Sequence, residues 1–223
     1  MAAIDTTLHV ETAAESGEIV PYGVPITAYP TESGKVIVNS PGSGELKDGR
    51  EDRWKNLGYH LQERGLASLV TYNAPRPDFQ VQLEWEPYSY QGASWNKILI
   101  ESLCHTIDWS LENAVLLSGN ESPAIFLTGF SSGGSAAGAV SHRYPSVQRL
   151  LLLSTYDSVG DPFYEGVSAF TGDIYLVYGD EDPMAGWLAR ILRTGKFAAK
   201  SFLVREAPGC GHRFDGEANT QLI

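Results

Sequence analysis

The sequence predicts an α/β protein: a mostly parallel, doubly wound sheet with helices on both faces, preceded by an antiparallel pair of strands at the N-terminus. Three observations carry this. Short apolar runs of strand length alternate with helix-period segments from Gly34 onward, which is the pattern of a parallel sheet. Pro and Gly fall between those segments rather than in one linker, and no internal repeat or low-complexity stretch appears. The length of 223 residues, with 43% hydrophobic and 19% charged residues, fits one large domain with its own core. A single domain over residues 1–223 without a sizeable cap is therefore expected.

The first 34 residues hold two extended candidates, Leu8–Glu11 and Val24–Tyr29, separated by Gly17 and Pro21-Tyr22-Gly23. Val36–Asn39 reads as a buried parallel strand and ends in the loop Ser40-Pro41-Gly42-Ser43-Gly44. A helix follows with Trp54, Leu57, Gly58 and Leu61 on one face and Gly65 as its stop. Ala67–Tyr72 is the next strand. From Ser94 a long helix carries Trp95, Ile98, Leu99, Leu103, Ile107, Leu111 and Val115 on one stripe and Lys97, Glu101, His105, Asp108 and Glu112 opposite. Ala124–Thr128 is a strand and Ser132–His142 a helix of very small residues. Val147–Ser154, Ile174–Tyr178 and Ser201–Arg205 complete the strands, with a helix over Ala185–Leu192.

In such sheets ligands bind beyond the carboxyl ends of the strands, so the loops there are the places to search. After Ala124–Thr128 comes Gly129-Phe130-Ser131-Ser132-Gly133-Gly134, which fits G-x-S-x-G. A serine on so tight a strand-to-helix turn needs a strained backbone, and glycine two places either side leaves room for strand and helix to pass. The turn exposes the Ser131 hydroxyl. It also aims the Ser132 backbone N–H, at a helix N-terminus, toward an oxyanion formed beside it. After Ile174–Tyr178 stands Gly179-Asp180-Glu181-Asp182-Pro183, and after Ser201–Arg205 stands Ala207-Pro208-Gly209-Cys210-Gly211-His212.

With these three loops the chain resembles the α/β-hydrolase superfamily over nearly its full length. The resemblance implies a small, lidless serine hydrolase: Ser131 as nucleophile, His212 as base and Asp182 as the acid that orients it. Asp180 is the next choice of acid, and Asp157 occupies another position that some family members use. The family's usual His-Gly pair after the first buried strand is replaced by Pro41-Gly42-Ser43-Gly44. Proline has no N–H to donate. Alignment on Gly42 makes the Ser43 amide the second oxyanion donor, with Ser40 as the alternative. About 19 residues separate Ser154 from Ile174, too few for a helical cap, and the eleven after His212 leave little for a closing helix.

The resulting expectation is a hydrolase of carboxylic esters or thioesters that works through an acyl-enzyme. An acyltransferase or cyclising thioesterase with the same triad is the alternative, and a non-catalytic ligand-binding protein on the same fold is a third. The long loop after Tyr72 contributes Phe79, Trp85, Tyr88 and Tyr90, and the segment Tyr156–Thr171 adds Phe163, Tyr164 and Phe170. These suggest an aromatic wall for an apolar or aromatic acyl or alcohol group, although packing of the loops onto the body explains the same residues.

Other classes fit poorly. The net charge of −11 opposes nucleic-acid binding. No phosphate loop or G-x-G-x-x-G follows a strand. His9, His60, His105, His142 and His212 form no H-x-x-x-H pair, so neither metal nor other cofactor is expected. Cys104 and Cys210 read as free thiols rather than a disulfide framework, and the elbow suits Ser131 as nucleophile better than Cys210. No secretory signal or membrane span is read, so a cytoplasmic protein with no membrane partner is expected.

Overall fold

The computed structural model describes residues 1–14, 16–75 and 94–214. Its centre is one eight-stranded sheet. The strands are β1 (Ile4–Ala13), β2 (Ile19–Tyr29), β3 (Lys35–Ser40), β4 (Ser68–Tyr72), β5 (Ala124–Phe130), β6 (Val147–Leu153), β7 (Asp173–Gly179) and β8 (Ser201–Ala207). Their spatial order is β1-β2-β4-β3-β5-β6-β7-β8. β1 and β2 form an antiparallel hairpin, and β2 joins β4 antiparallel. From β4 to β8 every pairing is parallel.

The helices are α1 (Arg53–Glu63), α2 (Trp95–Glu112), α3 (Ala114–Ser118), α4 (Ser132–Val140), α5 (Asp161–Ala169) and α6 (Pro183–Thr194). One face of the sheet carries the main core. There Val36, Val38, Ile125, Leu127, Leu150, Leu152, Ile174 and Leu176 meet Ile98, Leu99, Leu103 and Ile107 of α2 and the small residues of α4. Alternate strand residues point to the other face, where Trp54 of α1 packs with Phe130, Leu153, Ala207, Cys210 and Phe214. This smaller cluster lies beneath the strand ends that hold the predicted site residues.

Two expectations change in three dimensions. The long apolar stripe stops short of Val115, which is 59% exposed. The helix breaks at Asn113 (φ −104°, ψ 23°), so the phase shifts and Leu117 takes the buried place. The segment after β6 also contains a helix, α5, that no sequence periodicity announced. It starts after Gly160 with Pro162 in its first turn, where proline's missing N–H is not needed. Its Gly166 lies against the Gly138 carbonyl of α4, so the two backbones are in contact. Phe163 and Phe170 are buried in the main core. Phe79, Trp85, Tyr88 and Tyr90 lie outside the described residues. Among the described residues no helix is long and apolar enough to cross a membrane.

Candidate active site

The parallel order β3-β5-β6-β7-β8 brings the carboxyl ends of these strands side by side, at roughly 4.8 Å per step. Ser131 follows β5 directly, at φ 56° and ψ −124°. That region is costly for a residue with a side chain and persists where the surroundings over-determine it. Here they do. The Ser131 amide donates to the Leu153 carbonyl at 2.9 Å. A Cβ on Gly129 would lie 2.5 Å from the Gly134 Cα. One on Gly133 would run into the carbonyl oxygens of Ser40 and Pro41, and one on Gly134 into the Thr155 hydroxyl. Strand, helix and the loop after β3 thus touch backbone to backbone around one serine.

Ser131 and Asp182 are nearly buried, 7% and 3% exposed, whereas His212 keeps 35% of its side chain open. The His212 Nε2 atom is 3.0 Å from Ser131 Oγ, and Nδ1 is 2.7 Å from Asp182 Oδ2. The carboxylate has a second task. Asp182 is the N-cap of α6, and its Oδ1 accepts the Ala185 N–H at 3.2 Å. One oxygen is pinned to a helix N-terminus and the other faces the imidazole, so the acid has little freedom to rotate. The dipeptide Asp182-Pro183 was the signal for this role, since proline at the first helical position marks a cap before it.

The alternative acids are engaged elsewhere. Asp180 Oδ1 accepts the Cys210 N–H at 3.3 Å, and its own amide donates to the Ala207 carbonyl at 3.1 Å. With Glu181 N–H donating to the Cys210 carbonyl at 3.0 Å, Asp180 ties the acid loop to the histidine loop. Asp157 accepts the Tyr164 hydroxyl at 2.7 Å. Burial, and then that carboxylate, push the Tyr164 pKa up to about 12. Cys210 is buried, with Sγ 3.5 Å from the Pro208 carbonyl. Burial first, then Asp180 and Glu181, raise its pKa, so it stays a neutral thiol.

The loop after β3 lies beside the serine: a Cβ on Gly42 would be 3.5 Å from Ser131 Cβ. Its amides are largely committed. Gly42 N–H donates to Glu45 Oε2 at 3.1 Å, Gly44 N–H to the Pro75 carbonyl at 3.1 Å and Glu45 N–H to the Gly42 carbonyl at 2.9 Å. Pro41 has no N–H, which leaves Ser43 without a described acceptor. Ser132 opens α4, so its N–H has no partner within the helix. Rings of Phe130 and Tyr156 flank the histidine at 5.3 Å and 6.5 Å. Among the described residues no three His, Cys, Asp or Glu side chains are placed to share a metal ion.

Neither a protein-family model nor a curated protein sequence matches the chain. Solved structures do match it over nearly its whole length. A dienelactone hydrolase from Anabaena variabilis is 16% identical and superposes with a TM-score of 0.66, covering 98% of this chain and 93% of that one. A monoacylglycerol lipase from Paleococcus ferrophilus is 13% identical, with a TM-score of 0.64 over 89% and 95% of the two chains. The chain has the α/β-hydrolase fold. An esterase from Pyrococcus furiosus extends the likeness at 13% identity, with a TM-score of 0.60 over 92% of this chain and 82% of that one. In this hydrolase fold the described chain between β6 and β7 is a loop plus the nine residues of α5, packed on α4. What sequence reasoning missed around the site is the cap role of Asp182 and the grip of Glu45 on the loop after β3. The second joins residues through side-chain hydrogen bonds, which leave no periodic trace.

Proposed function

We propose that this protein is a serine hydrolase that cleaves a carboxylic ester or thioester through an acyl-enzyme. The observation that carries the reading is the continuous line from Ser131 Oγ to His212 Nε2 and from His212 Nδ1 to Asp182 Oδ2, at 3.0 Å and 2.7 Å, ending on a carboxylate anchored to a helix. A serine hydroxyl is a weak nucleophile near neutral pH. His212 takes the Oγ proton as Oγ bonds to the substrate carbonyl carbon. Asp182 holds the ring with its proton on Nδ1 and stabilises the imidazolium. The carbonyl oxygen becomes an oxyanion, met by the Ser132 and Ser43 amides. When it collapses, the leaving alcohol or thiol departs with the proton from His212. Water, activated by the same base, then attacks the acyl-enzyme and releases the acid.

The flanking Phe130 and Tyr156 favour a neutral substrate with an apolar or aromatic acyl or alcohol group. The net charge of −11 disfavours polyanions. The three hydrolases named above support this reading through their common fold.

A fluorescent fluorophosphonate, which bonds only to an activated serine, tests it. The parent should label, and Ser131→Ala and His212→Ala should not, with turnover down by about 10⁴-fold or more. Asp182→Asn should fold, because asparagine also caps a helix. It should still lose about 10⁴-fold by presenting an amide to Nδ1. Asp180→Asn should lose no more than about tenfold, the scale of one weakened hydrogen bond. A folded parent that stays unlabelled sinks the proposal.

A further inference from the structure

Glu45 sits at the centre of contacts that a surface carboxylate would not need. Its Oε2 accepts the Gly42 N–H at 3.1 Å, and its Oε1 accepts the Arg50 N–H at 3.1 Å and lies 2.7 Å from an Arg53 guanidinium nitrogen. Its own amide returns to the Gly42 carbonyl, and its carbonyl accepts the Ala74 N–H at 2.9 Å. The Glu45 side chain is only 12% exposed. Arg53 continues the chain of contacts, with its guanidinium carbon 4.2 Å from the centre of the Phe130 ring, the residue before Ser131. Gly42 faces the same ring from the other loop: a Cβ there would lie 2.9 Å from Phe130 Cδ1. One ion pair therefore clamps the turn after β3 against the end of β5.

We infer that Glu45, braced by Arg53, is a positioning residue that holds the Gly42–Ser43 turn so that the Ser43 N–H faces the substrate oxyanion. By taking the Gly42 amide, Glu45 fixes which donor remains. The rest of the turn follows from the same contacts: Gly44 has φ 64° and Ser43 occupies its outer corner with its N–H unused by the described chain. Arg53 contributes by holding the carboxylate where both Gly42 and Arg50 amides reach it. This inference rests on the hydrolase reading of Ser131.

Glu45→Ala and Glu45→Gln are compared with the parent by two measurements. One is the rate of fluorophosphonate labelling per folded protein. The other is inhibition by trifluoroacetophenone, whose carbonyl accepts Ser131 Oγ to give a hemiketal oxyanion while the Oγ proton passes to His212. Plain acetophenone, which remains a ketone, reports ground-state binding. Glu45→Ala is expected to slow labelling about 100-fold, the effect of losing one oxyanion donor. It should weaken trifluoroacetophenone by a similar factor and leave acetophenone within about twofold. Glu45→Gln keeps an acceptor for Gly42 but not the charge for Arg53, and should fall between parent and Glu45→Ala. If Glu45→Ala does not fold, Glu45→Gln alone decides. Variants that only melt earlier, with parent labelling rates and parent trifluoroacetophenone inhibition, overturn the inference while Ser131 stands as nucleophile. A parent that does not label overturns the hydrolase reading and this inference with it.

Discussion

The turn from β5 into α4 and the turn that follows β3 are neighbours, with Ser40 opposite Gly129 in the sheet, yet they are held in different ways. Around Ser131 the fit is steric. Gly129, Gly133 and Gly134 face backbone or a buried hydroxyl at distances that admit no side chain, and the strained serine has nowhere to relax. Around Ser43 the fit is polar. A single carboxylate, an arginine and the carbonyl of Pro75 hold a turn whose outer corner is exposed. Under the proposed hydrolase reading, the difference suits two tasks. The nucleophile must not move, because a loss of alignment costs rate directly. The proposed oxyanion donor at Ser43 needs an amide with no partner among the described residues, and side-chain hydrogen bonds can occupy its neighbours while sparing it.

The comparison can be broken most strongly at Ser43. Proline there deletes the N–H and keeps a backbone angle suited to the second position of a turn. Turnover and fluorophosphonate labelling should fall about 10²- to 10³-fold in a protein that melts near the parent temperature. Ser43→Ala, which removes only the hydroxyl, should change neither by more than about twofold if the backbone N–H is the donor, as proposed. Equal losses in both variants would place the function on the side chain and defeat this assignment.

At the elbow the expected damage is to stability. Gly134→Ala drives a methyl into Thr155 Oγ1 and should cost about 1–3 kcal/mol, read as a drop in melting temperature of about 2–4 °C per kcal/mol. The clash is with a side-chain tip, so adding Thr155→Ala should recover part of the loss, a coupling that a double-mutant cycle measures. Gly133→Ala meets the carbonyls of Ser40 and Pro41 instead, and no side-chain change should rescue it. Rescue of Gly133→Ala by Thr155→Ala would mean the elbow is softer than its packing implies.

The smallest effect belongs to Cys210. It lies two residues from His212, but it is buried and its raised pKa keeps it protonated. Cys210→Ala should leave fluorophosphonate labelling within about twofold of the parent and cost only about 1 kcal/mol for the small cavity. Labelling lost in Cys210→Ala would reopen the thiol as a participant.

The sequence by itself determined the alternation of strands and helices, the tight elbow at Ser131 and the two loops that bear Asp182 and His212. These signals are local: apolar runs of strand length, glycines at fixed offsets, and turn residues after each strand. The ranking of Asp182 before Asp180 and Asp157 came from the family resemblance, not from the residues themselves. Asp180, Asp182 and Asp157 are equivalent as residue types, and only the fold turned one carboxylate to the imidazole and gave the other two to the Cys210 amide and the Tyr164 hydroxyl. The sequence could not place α5, because that helix buries Phe163 against Gly138 across a gap in sequence that no periodicity spans. The grip of Glu45 and Arg53 on the loop after β3 was hidden for the same reason. Such contacts depend on which strand ends lie side by side, and that order, β3 next to β5, comes from long-range pairing in the sheet.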